Sequence, residues 1–387
     1  MMRRREFITR AGAGVVGVAL AGCTGDSDEN TETEGGNGGE STETTDGGTE
    51  TDGGNGTTTA TGTDEPLSGT LQVATYGSFT GEGTAGNWLK SNFEAEHPDV
   101  TVEFTTPENG VNEFIQRASQ GVPIDADMYV GINTGELVRA DEELDTDLFA
   151  EAGDVAGAEN VKEALEIDPD GRAVPYDTGY ISLVYDEDEV DAPETFDDLL
   201  EPAYEDALIA QNAQQSDPGR AFLLWTIHEK GPDGYLDYWS DLVDNGVRIM
   251  SDWQPAYNAY QEGERPMVVS YSTDQVYYNG EGVDMSRHQV GFINDQGYAN
   301  PEAMARFADA DNPELATAFM EFVLTEEAQA EIAVRNVQFP AVEGVEPGGD
   351  FGEFALEPPE PVTFGYDELA GNVSTWIEDW AREVVSN

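Results

Sequence analysis

The stretch that decides the fold is Val174-Pro175-Tyr176-Asp177-Thr178-Gly179-Tyr180-Ile181-Ser182-Leu183-Val184-Tyr185, a long apolar run near the middle of the chain. We predict two close strands in it, at 174–177 and 181–185, separated by Thr178-Gly179-Tyr180. Strands and helices alternate before this run, and the alternation restarts after it. Two such units in one chain predict an α/β protein with two lobes, and clefts between α/β lobes bind small ligands.

The alternation is read from the spacing of apolar residues. Before the middle run, strands are predicted at 71–75, 100–104 and 126–131, and helices at 86–96 and 111–119. After it, strands are predicted at 208–210, 247–249 and 267–270, and helices at 218–229, 234–243 and 253–261. A last helix begins behind Asn312-Pro313. This order predicts parallel strands covered by helices on both faces.

Residues 1–23 have the organisation of an export signal. Arg4 and Arg5, followed by Glu6-Phe7, resemble the twin-arginine signal. Leu20-Ala21-Gly22-Cys23 resembles a lipobox, in which the cysteine is lipidated. The apolar run between them is too short to cross a bilayer. We therefore expect twin-arginine export, followed by a lipid anchor on Cys23 that holds the protein at the extracellular face of the cell membrane.

Residues 24–66 have the composition of a spacer. They are almost entirely Gly, Thr, Ser, Asn, Asp and Glu, and Ala60 is the only apolar side chain besides the closing proline. Such a segment cannot bury enough apolar surface to offset its conformational entropy. We expect a flexible acidic linker, with the folded part beginning near Leu67.

The charge balance is strongly acidic. The chain has 79 Asp and Glu against 17 Lys and Arg, a formal net charge of −62. Repulsion of this size is screened when the Debye length falls to about 3 Å at molar salt, which predicts a salt-loving, haloarchaeal source. No basic patch is available for phosphate backbones, which excludes nucleic acid as a partner. Because Cys23 is the only cysteine, an intrachain disulfide is excluded.

Residues for catalysis are scarce. The three histidines, His97, His228 and His288, have no nucleophile at a recognisable spacing. Phosphate loops, dinucleotide fingerprints and His/Cys metal clusters are absent from the sequence. The sequence therefore favours a binding protein over an enzyme, with no cofactor and no metal.

Aromatic residues concentrate between Ser251 and Tyr278. Trp253 and Tyr257 are one helical turn apart, so mutual packing is an alternative to ligand contact for Tyr257. Tyr271 follows a predicted strand in a polar context, at an open sheet end, and Tyr277 comes shortly after it. Ring faces attract cations by about 0.5–2 kcal/mol and stack on planar rings. This region predicts a site for a flat cation.

The segment Ser216-Asp217-Pro218-Gly219-Arg220 predicts a helix start. Free backbone N–H groups at a helix N-terminus bind phosphate or carboxylate, and Arg220 adds positive charge. The alternative is an ordinary helix capped by Ser216 or Asp217.

Jointly, five motifs resemble the thiamine-binding receptors of ABC importers over nearly the whole folded part. The motifs are Thr75-Tyr76-Gly77-Ser78-Phe79, Pro175-Tyr176-Asp177-Thr178-Gly179-Tyr180, Ser216-Asp217-Pro218-Gly219, Trp253-Gln254-Pro255-Ala256-Tyr257, and Ser270-Tyr271-Ser272-Thr273 with Tyr277. The resemblance implies a type II periplasmic-binding-protein-like fold, with two lobes hinged by crossing strands. It assigns 67–176 and 292–387 to lobe 1, and 177–291 to lobe 2.

The resemblance also implies site residues. Tyr76, Trp253, Tyr271 and Tyr277 would surround the thiamine rings, and Ser216 would lie where a thiamine phosphate sits. The predicted binding set further includes Asn133, Asp177, Gly219 and Tyr257. Two positions depart from the family pattern: Asn133 stands where the family has an acid, and Val337 stands where the family has a tryptophan.

Three functions follow as hypotheses. The first is a monomeric receptor that binds thiamine or thiamine phosphate and delivers it to an ABC permease and its ATPase. The second is a ferric-iron receptor of the same fold, with Tyr277 and Tyr278 as paired phenolate ligands. The third is an exported enzyme that processes thiamine or phosphate, for which the sequence offers no convincing nucleophile and base.

Overall fold

A mixed β-sheet forms the centre of the part of the chain that the computed structural model describes, residues 66–280 and 282–385. The predicted export signal, with Arg4, Arg5 and Cys23, and the linker up to residue 65 lie outside these described residues. The strands are β1 (Gly69–Ala74), β2 (Val100–Thr105), β3 (Met128–Ile132), β4 (Ala173–Tyr185), β5 (Leu208–Gln211), β6 (Arg248–Met250), β7 (Met267–Tyr271), β8 (Gln289–Gly291), β9 (Gln296–Arg306), β10 (Phe339–Pro340) and β11 (Glu360–Val362).

Helices cover the sheet. They are α1 (Ala85–Glu96), α2 (Val111–Ser119), α3 (Thr134–Glu143), α4 (Asp217–Lys230), α5 (Tyr235–Asp244), α6 (Trp253–Gln261), α7 (Asp274–Tyr277), α8 (Pro313–Val323), α9 (Glu326–Asn336), α10 (Gly349–Phe354), α11 (Tyr366–Leu369) and α12 (Val373–Trp380). Within the described residues, no helix is both long and apolar enough to cross a membrane.

The strand order places two lobes on either side of a shared pair of strands. The order is β2-β1-β3-β9-β4-β7-β5-β6. In the first lobe β1 pairs in parallel with β2 and β3, and in the second lobe β5 pairs in parallel with β6 and β7. The long strands β4 and β9 run antiparallel to each other between these two halves. The predicted two-lobed α/β class with crossing strands is confirmed.

The middle run of the sequence folds as one strand instead of two. Residues 178–180, predicted to separate two strands, pair with residues 299–301 of β9. The register shift lies earlier, between Pro175 and Asp177, where proline interrupts the regular ladder. The prediction was wrong because local turn signals were outweighed by pairing with β9.

Each lobe has its own apolar core. The first core gathers Leu71 and Val73 of β1, Phe93 of α1 and Phe319 of α8, all fully buried. The helix predicted to begin behind Asn312-Pro313 is α8, and its Leu315, Phe319 and Val323 are buried in this core. The second core surrounds Trp225 of α4.

The last helices contact elements of both halves. Tyr366 of α11 donates a hydrogen bond to Asp141 of α3 at 2.6 Å. Further on, Trp380 of α12 packs edge-on against Trp239 of α5, with ring centroids 5.3 Å apart. The proposed lobe boundaries remain a prediction, and these contacts show that the end of the chain packs against the second core as well as the first lobe.

Candidate ligand-binding cleft

The floor of the candidate cleft is formed where β4 and β9 cross. In their antiparallel register Asp177 faces Glu302, and Gly179 faces Asn300. Asp177 is fully buried, whereas Glu302 is partly exposed. We call residues 176–179 and 300–302 the cleft floor. It places two carboxyl groups side by side at the junction of the lobes.

A hydrogen-bond network surrounds the two carboxyl groups. Glu302 Oε2 accepts from the hydroxyls of Tyr76, at 2.8 Å, and Tyr176, at 2.7 Å. The Asn336 amide donates to Asp177 Oδ2 at 2.8 Å and to the Tyr76 hydroxyl at 2.9 Å. Asp177 Oδ1 is buried without a partner. Tyr76, one of the predicted ring-contacting residues, is therefore held directly above the carboxyl pair.

Burial changes the protonation of this pair. Desolvation, with the nearby Glu302 charge, raises the pKa of Asp177 well above its ordinary value. Desolvation also raises the pKa of Glu302, but the Tyr176 and Tyr76 hydroxyls stabilise its anion and offset part of that rise. The geometry therefore favours a neutral Asp177 beside an ionised Glu302.

Gly131 makes room for Tyr76. A Cβ atom at Gly131 would lie 2.5 Å from Tyr76 Cε1, and the residue has a φ of +102°. Both the close approach and the backbone conformation favour glycine at this position. The irregular end of β3, where the register with β9 shifts between Val130 and Ile132, is therefore shaped around the Tyr76 ring.

Trp253 and Tyr271 form an aromatic wall on the second lobe. Trp253 is the first residue of α6, and its indole N–H donates to Ser270 Oγ at 3.0 Å. Tyr271 ends β7, as predicted from its polar context, and its ring centroid lies 6.5 Å from that of Trp253. Both side chains are half-buried. The wall stands at the carboxyl end of β7, beside the cleft floor.

Tyr271 packs closely on the floor and is surrounded by acids. A Cβ atom at Gly179 would lie 2.8 Å from the Cδ1 and Cε1 atoms of its ring. Its pKa is raised well above the ordinary value by burial, with further contributions from Asp217, Glu302 and Asp177. The same negative surroundings that disfavour a phenolate favour a cation.

Tyr257 supports the wall from behind. It is 2% exposed and stacks on Trp253, with ring centroids 5.1 Å apart. Its hydroxyl donates a hydrogen bond to Asp274, and Asp274 also contacts His288 Nδ1 at 2.7 Å. Tyr257 therefore packs against Trp253, which is the alternative given by the sequence analysis. A direct ligand contact by Tyr257 stays a prediction.

The side chains of Tyr277 and Tyr278 lie in different surroundings. Tyr277 ends the short helix α7 and is 51% exposed. Tyr278 stacks on the His288 ring at 4.1 Å, and its hydroxyl accepts from Gln261 at 2.6 Å. The two rings lie 6.5 Å apart and are tilted. Within residues 66–280 and 282–385 no cluster of three or more His, Cys, Asp or Glu side chains is arranged for a metal ion.

The start of α4 brings further predicted residues to the cleft. Ser216 is 1% exposed, and its Oγ is buried without a partner. It occupies the N-cap position, but its side chain makes no capping hydrogen bond, so the predicted capping role of Ser216 is wrong. Asp217 instead pairs with Arg220 at 3.1 Å. The Cβ position of Gly219 lies 2.7 Å from the Gln211 carbonyl oxygen, so glycine lets α4 approach β5.

Asn133 faces α4 from the first lobe. It caps α3 in a reciprocal pair, in which Asn133 Oδ1 accepts from the Glu136 N–H at 3.0 Å and Glu136 accepts from the Asn133 N–H at 3.3 Å. Asn133, Asp217 and Arg220 line one cavity with Asn300 of the floor. Burial and the Asp217 charge raise the pKa of Glu136 to about 7. Val337, the second departure from the family pattern, is 6% exposed in an apolar cluster with Tyr180 and Phe339.

Sequence reasoning missed three members of the floor network. Glu302 lies in β9, a segment for which no strand was predicted, because Gly297, Asn300 and Pro301 are all unfavourable in strands. Tyr176 lies in one of the motifs that carry the family resemblance, and Asn336 directly precedes Val337, but no role was predicted for either residue. The alternation of small and apolar residues in Ala303-Met304-Ala305 was the only local sign of this strand.

Comparisons with known proteins agree with this architecture. A family model described as bacterial extracellular solute-binding protein matches residues 88–353. The thiamine-binding periplasmic protein of Escherichia coli K12 is 30% identical over 315 residues, which cover 81% of this chain and 93% of that protein.

Solved structures have the same fold. A periplasmic thiamin binding protein superimposes with a TM-score of 0.70 at 27% identity, covering 83% of this chain and 98% of that one. The Trichodesmium protein FutA, in complex with iron and citrate ligands, gives a TM-score of 0.67 at 16% identity, covering 81% and 99%. At 16% identity, the likeness to FutA shows only that the two proteins have the same fold.

Proposed function

The chain belongs to the bacterial extracellular solute-binding protein family, and from this premise we propose that it binds thiamine or a thiamine phosphate and delivers it to an ABC import permease. Its relatives are binding proteins and not enzymes, which supports a receptor role for the cleft. The ligand, the delivery step and the site residues are our inference.

The observation that carries the proposal is an aromatic wall beside an acidic floor. Trp253 and Tyr271 present ring faces, and Tyr76 adds a third ring from the first lobe. Each ring face contributes about 0.5–2 kcal/mol to the binding of a cation. On the floor Asp177 and Glu302 supply carboxyl oxygens, and the ionised Glu302 supplies negative charge. Thiamine is a flat organic cation, and this pairing of rings with carboxylates suits its chemistry.

The start of α4 suits a phosphate attached to that cation. Ser216 offers a buried hydroxyl without a partner, and Gly219 keeps the helix start close to β5. Free N–H groups of the first helical turn add partial positive charge. A ligand lying on the aromatic wall would therefore direct an anionic tail toward Ser216.

The crossing strands supply a hinge between lobes. β4 and β9 connect the two halves of the sheet, and the wall and the start of α4 lie on one side of them while Tyr76 and Asn133 lie on the other. Ligand contacts with both sides are complete only when the lobes approach. Binding would therefore favour a closed form, the usual hinge mechanism of such receptors.

The N-terminal region fits delivery at the cell surface. We propose that Arg4 and Arg5 direct export, that Cys23 carries the lipid anchor, and that the acidic linker supplies reach. A tethered receptor has a high local concentration near its permease, because the linker and anchor keep the two proteins at the same membrane surface.

Intrinsic tryptophan fluorescence tests the ligand. The full chain in multimolar KCl is titrated with thiamine, thiamine phosphates and ferric citrate, and we expect saturable quenching by thiamine compounds that is lost in Trp253→Phe. Saturable quenching by ferric citrate alone would instead support the ferric-iron receptor, with Tyr277 and Tyr278 as the iron ligands. A flat response to all three compounds would refute both receptors.

A further inference from the structure

The buried acids of this protein fall into two groups. Asp168 pairs with Arg172 at 3.0 Å, and Asp274 contacts His288 at 2.7 Å. Asp127, 2% exposed, accepts the backbone N–H groups of Gln72 and Asn312. Such partners compensate the cost of removing a carboxylate from water, and these acids have ordinary structural roles.

The Asp177–Glu302 pair lacks that compensation. Among the described residues, no Lys, Arg or His side chain forms an ion pair or hydrogen bond with either carboxyl group. The two carboxyl groups contact each other, and their remaining partners are neutral: two tyrosine hydroxyls on Glu302 and one amide on Asp177. Asp177 Oδ1 has no partner although the residue is fully buried.

The charged and titratable groups around the pair are acidic or phenolic. They come from the loop after β1, from β4, β7 and the start of α4, and they are Tyr76, Tyr176, Tyr271 and Asp217. Ionising both of two adjacent carboxyl groups in such surroundings has a high free-energy cost. A proton or another cation must therefore balance one of the two charges.

Resting on the proposed function, we propose that Asp177 and Glu302 form the cation-recognition subsite of the cleft. The two acids share one proton in the unliganded protein. A positively charged or N–H-rich group of the ligand displaces that proton on binding. The O–H bond of the Asp177 carboxyl breaks, the proton passes to the buffer, and the ligand cation takes its place. No electrons are transferred.

The neighbouring rings connect the pair to the ligand. Tyr76 binds Glu302 directly, and the Tyr271 ring experiences the charges of both carboxyl groups. A flat cation stacked on Tyr271, whose ring contacts Gly179, would therefore lie beside β4, the strand that carries Asp177 two residues earlier. This subsite selects organic cations with ring or amino nitrogen over neutral molecules of the same outline.

Calorimetry of the full chain measures the displaced proton. Thiamine is titrated at constant multimolar KCl and one pH, near 6, in two buffers of different ionisation enthalpy. We expect release of about one proton per thiamine bound. Asp177→Asn should abolish the release, while Asp127→Asn, a buried acid outside the cleft, should retain it. Binding of thiamine without proton release in the unmodified protein would overturn the proposal.

A second measurement needs no ligand. The raised pKa of Asp177 means that its contribution to stability is fully present below the unfolded-state pKa and is lost as pH rises through the folded-state pKa. Thermal unfolding of the unliganded protein should therefore fall in midpoint as pH rises above about 4, and the fall should be smaller in Asp177→Asn. Identical pH profiles would exclude the shared proton. Failure of thiamine to bind would instead remove the proposed function, and the unfolding profiles would still decide whether the proton is shared.

Discussion

Gly179→Ala is the sharpest test of the aromatic wall, because the change is made on the floor and acts on a neighbouring ring. Gly179 lies within β4 and does not have a positive φ, so alanine fits its backbone. The added Cβ would lie 2.8 Å from two carbons of the Tyr271 ring and 2.6 Å from Gln338 Oε1. Carbon atoms prefer about 3.5–4.0 Å, so the ring must move by roughly 1 Å.

The displacement should weaken both thiamine binding and folding, and the two losses are measured separately. Loss of optimal ring contact removes about 1–2 kcal/mol from the binding of a cation, which weakens thiamine binding roughly 5- to 30-fold. Overpacking at a buried site costs about 1–3 kcal/mol of unfolding free energy, which denaturant titration measures separately. Fluorescence titration in multimolar KCl gives the affinity.

Gly291→Ala is the matched control. This buried glycine lies in β8, which also pairs with β4, but its Cβ would lie 3.6 Å from the Tyr185 ring, an ordinary contact. We expect unchanged affinity there. The double variant Gly179→Ala/Gln338→Ala removes the second close contact and should remain weak. Wild-type affinity in Gly179→Ala, with the protein folded, would show that the position of Tyr271 is not used in binding.

Four further predictions concern the wall, the start of α4 and a structural ion pair. Trp253→Ala and Tyr271→Ala should each weaken thiamine binding by more than about 1 kcal/mol, and unchanged calorimetric affinity in both would remove the site. Ser216→Ala should weaken thiamine phosphates more than free thiamine, whereas equal losses measured by competition titration would exclude a phosphate contact. Arg172→Met leaves Asp168 buried without its cation and should lower the free energy of unfolding, measured by urea titration, by about 3–5 kcal/mol. The affinity for thiamine should not change. A loss of unfolding free energy below about 1 kcal/mol would contradict this prediction. Burial acts to raise the pKa of Asp168, but hydrogen bonds from Arg172 and from backbone N–H groups outweigh it and lower that pKa. The contribution of Asp168 to stability should therefore be present above its unfolded-state pKa and be lost as pH falls through the folded-state pKa; an unfolding midpoint independent of pH in that range would contradict this.

Much of the local structure could be predicted from periodicity alone. The predicted helix 111–119 matches α2 residue for residue, and the predicted helix 253–261 matches α6. These segments carry apolar residues at helical spacing and bury that face in the lobe cores, so local preference and tertiary packing agree. Tyr271 was also placed correctly at a strand end, from the polar residues that follow it.

The crossing strands could not be predicted in the same way. β9 contains Gly297, Asn300 and Pro301, and β4 contains Pro175 and Gly179, which are poor strand formers. These segments are extended because each pairs with the other over most of its length. A local pattern contains no information on a partner more than a hundred residues away.

Composition and short-range spacing were enough to predict the α/β class, the two-lobed organisation, the aromatic character of the candidate site and the scarcity of residues for catalysis. The chemistry of the cleft floor depends on contacts between distant segments. Only the β4–β9 register places Glu302 opposite Asp177, and only folding buries the two acids with Tyr76, Tyr176 and Asn336 around them. The strength of a charge depends on its solvent exposure and its neighbours, and both are set by contacts between distant segments.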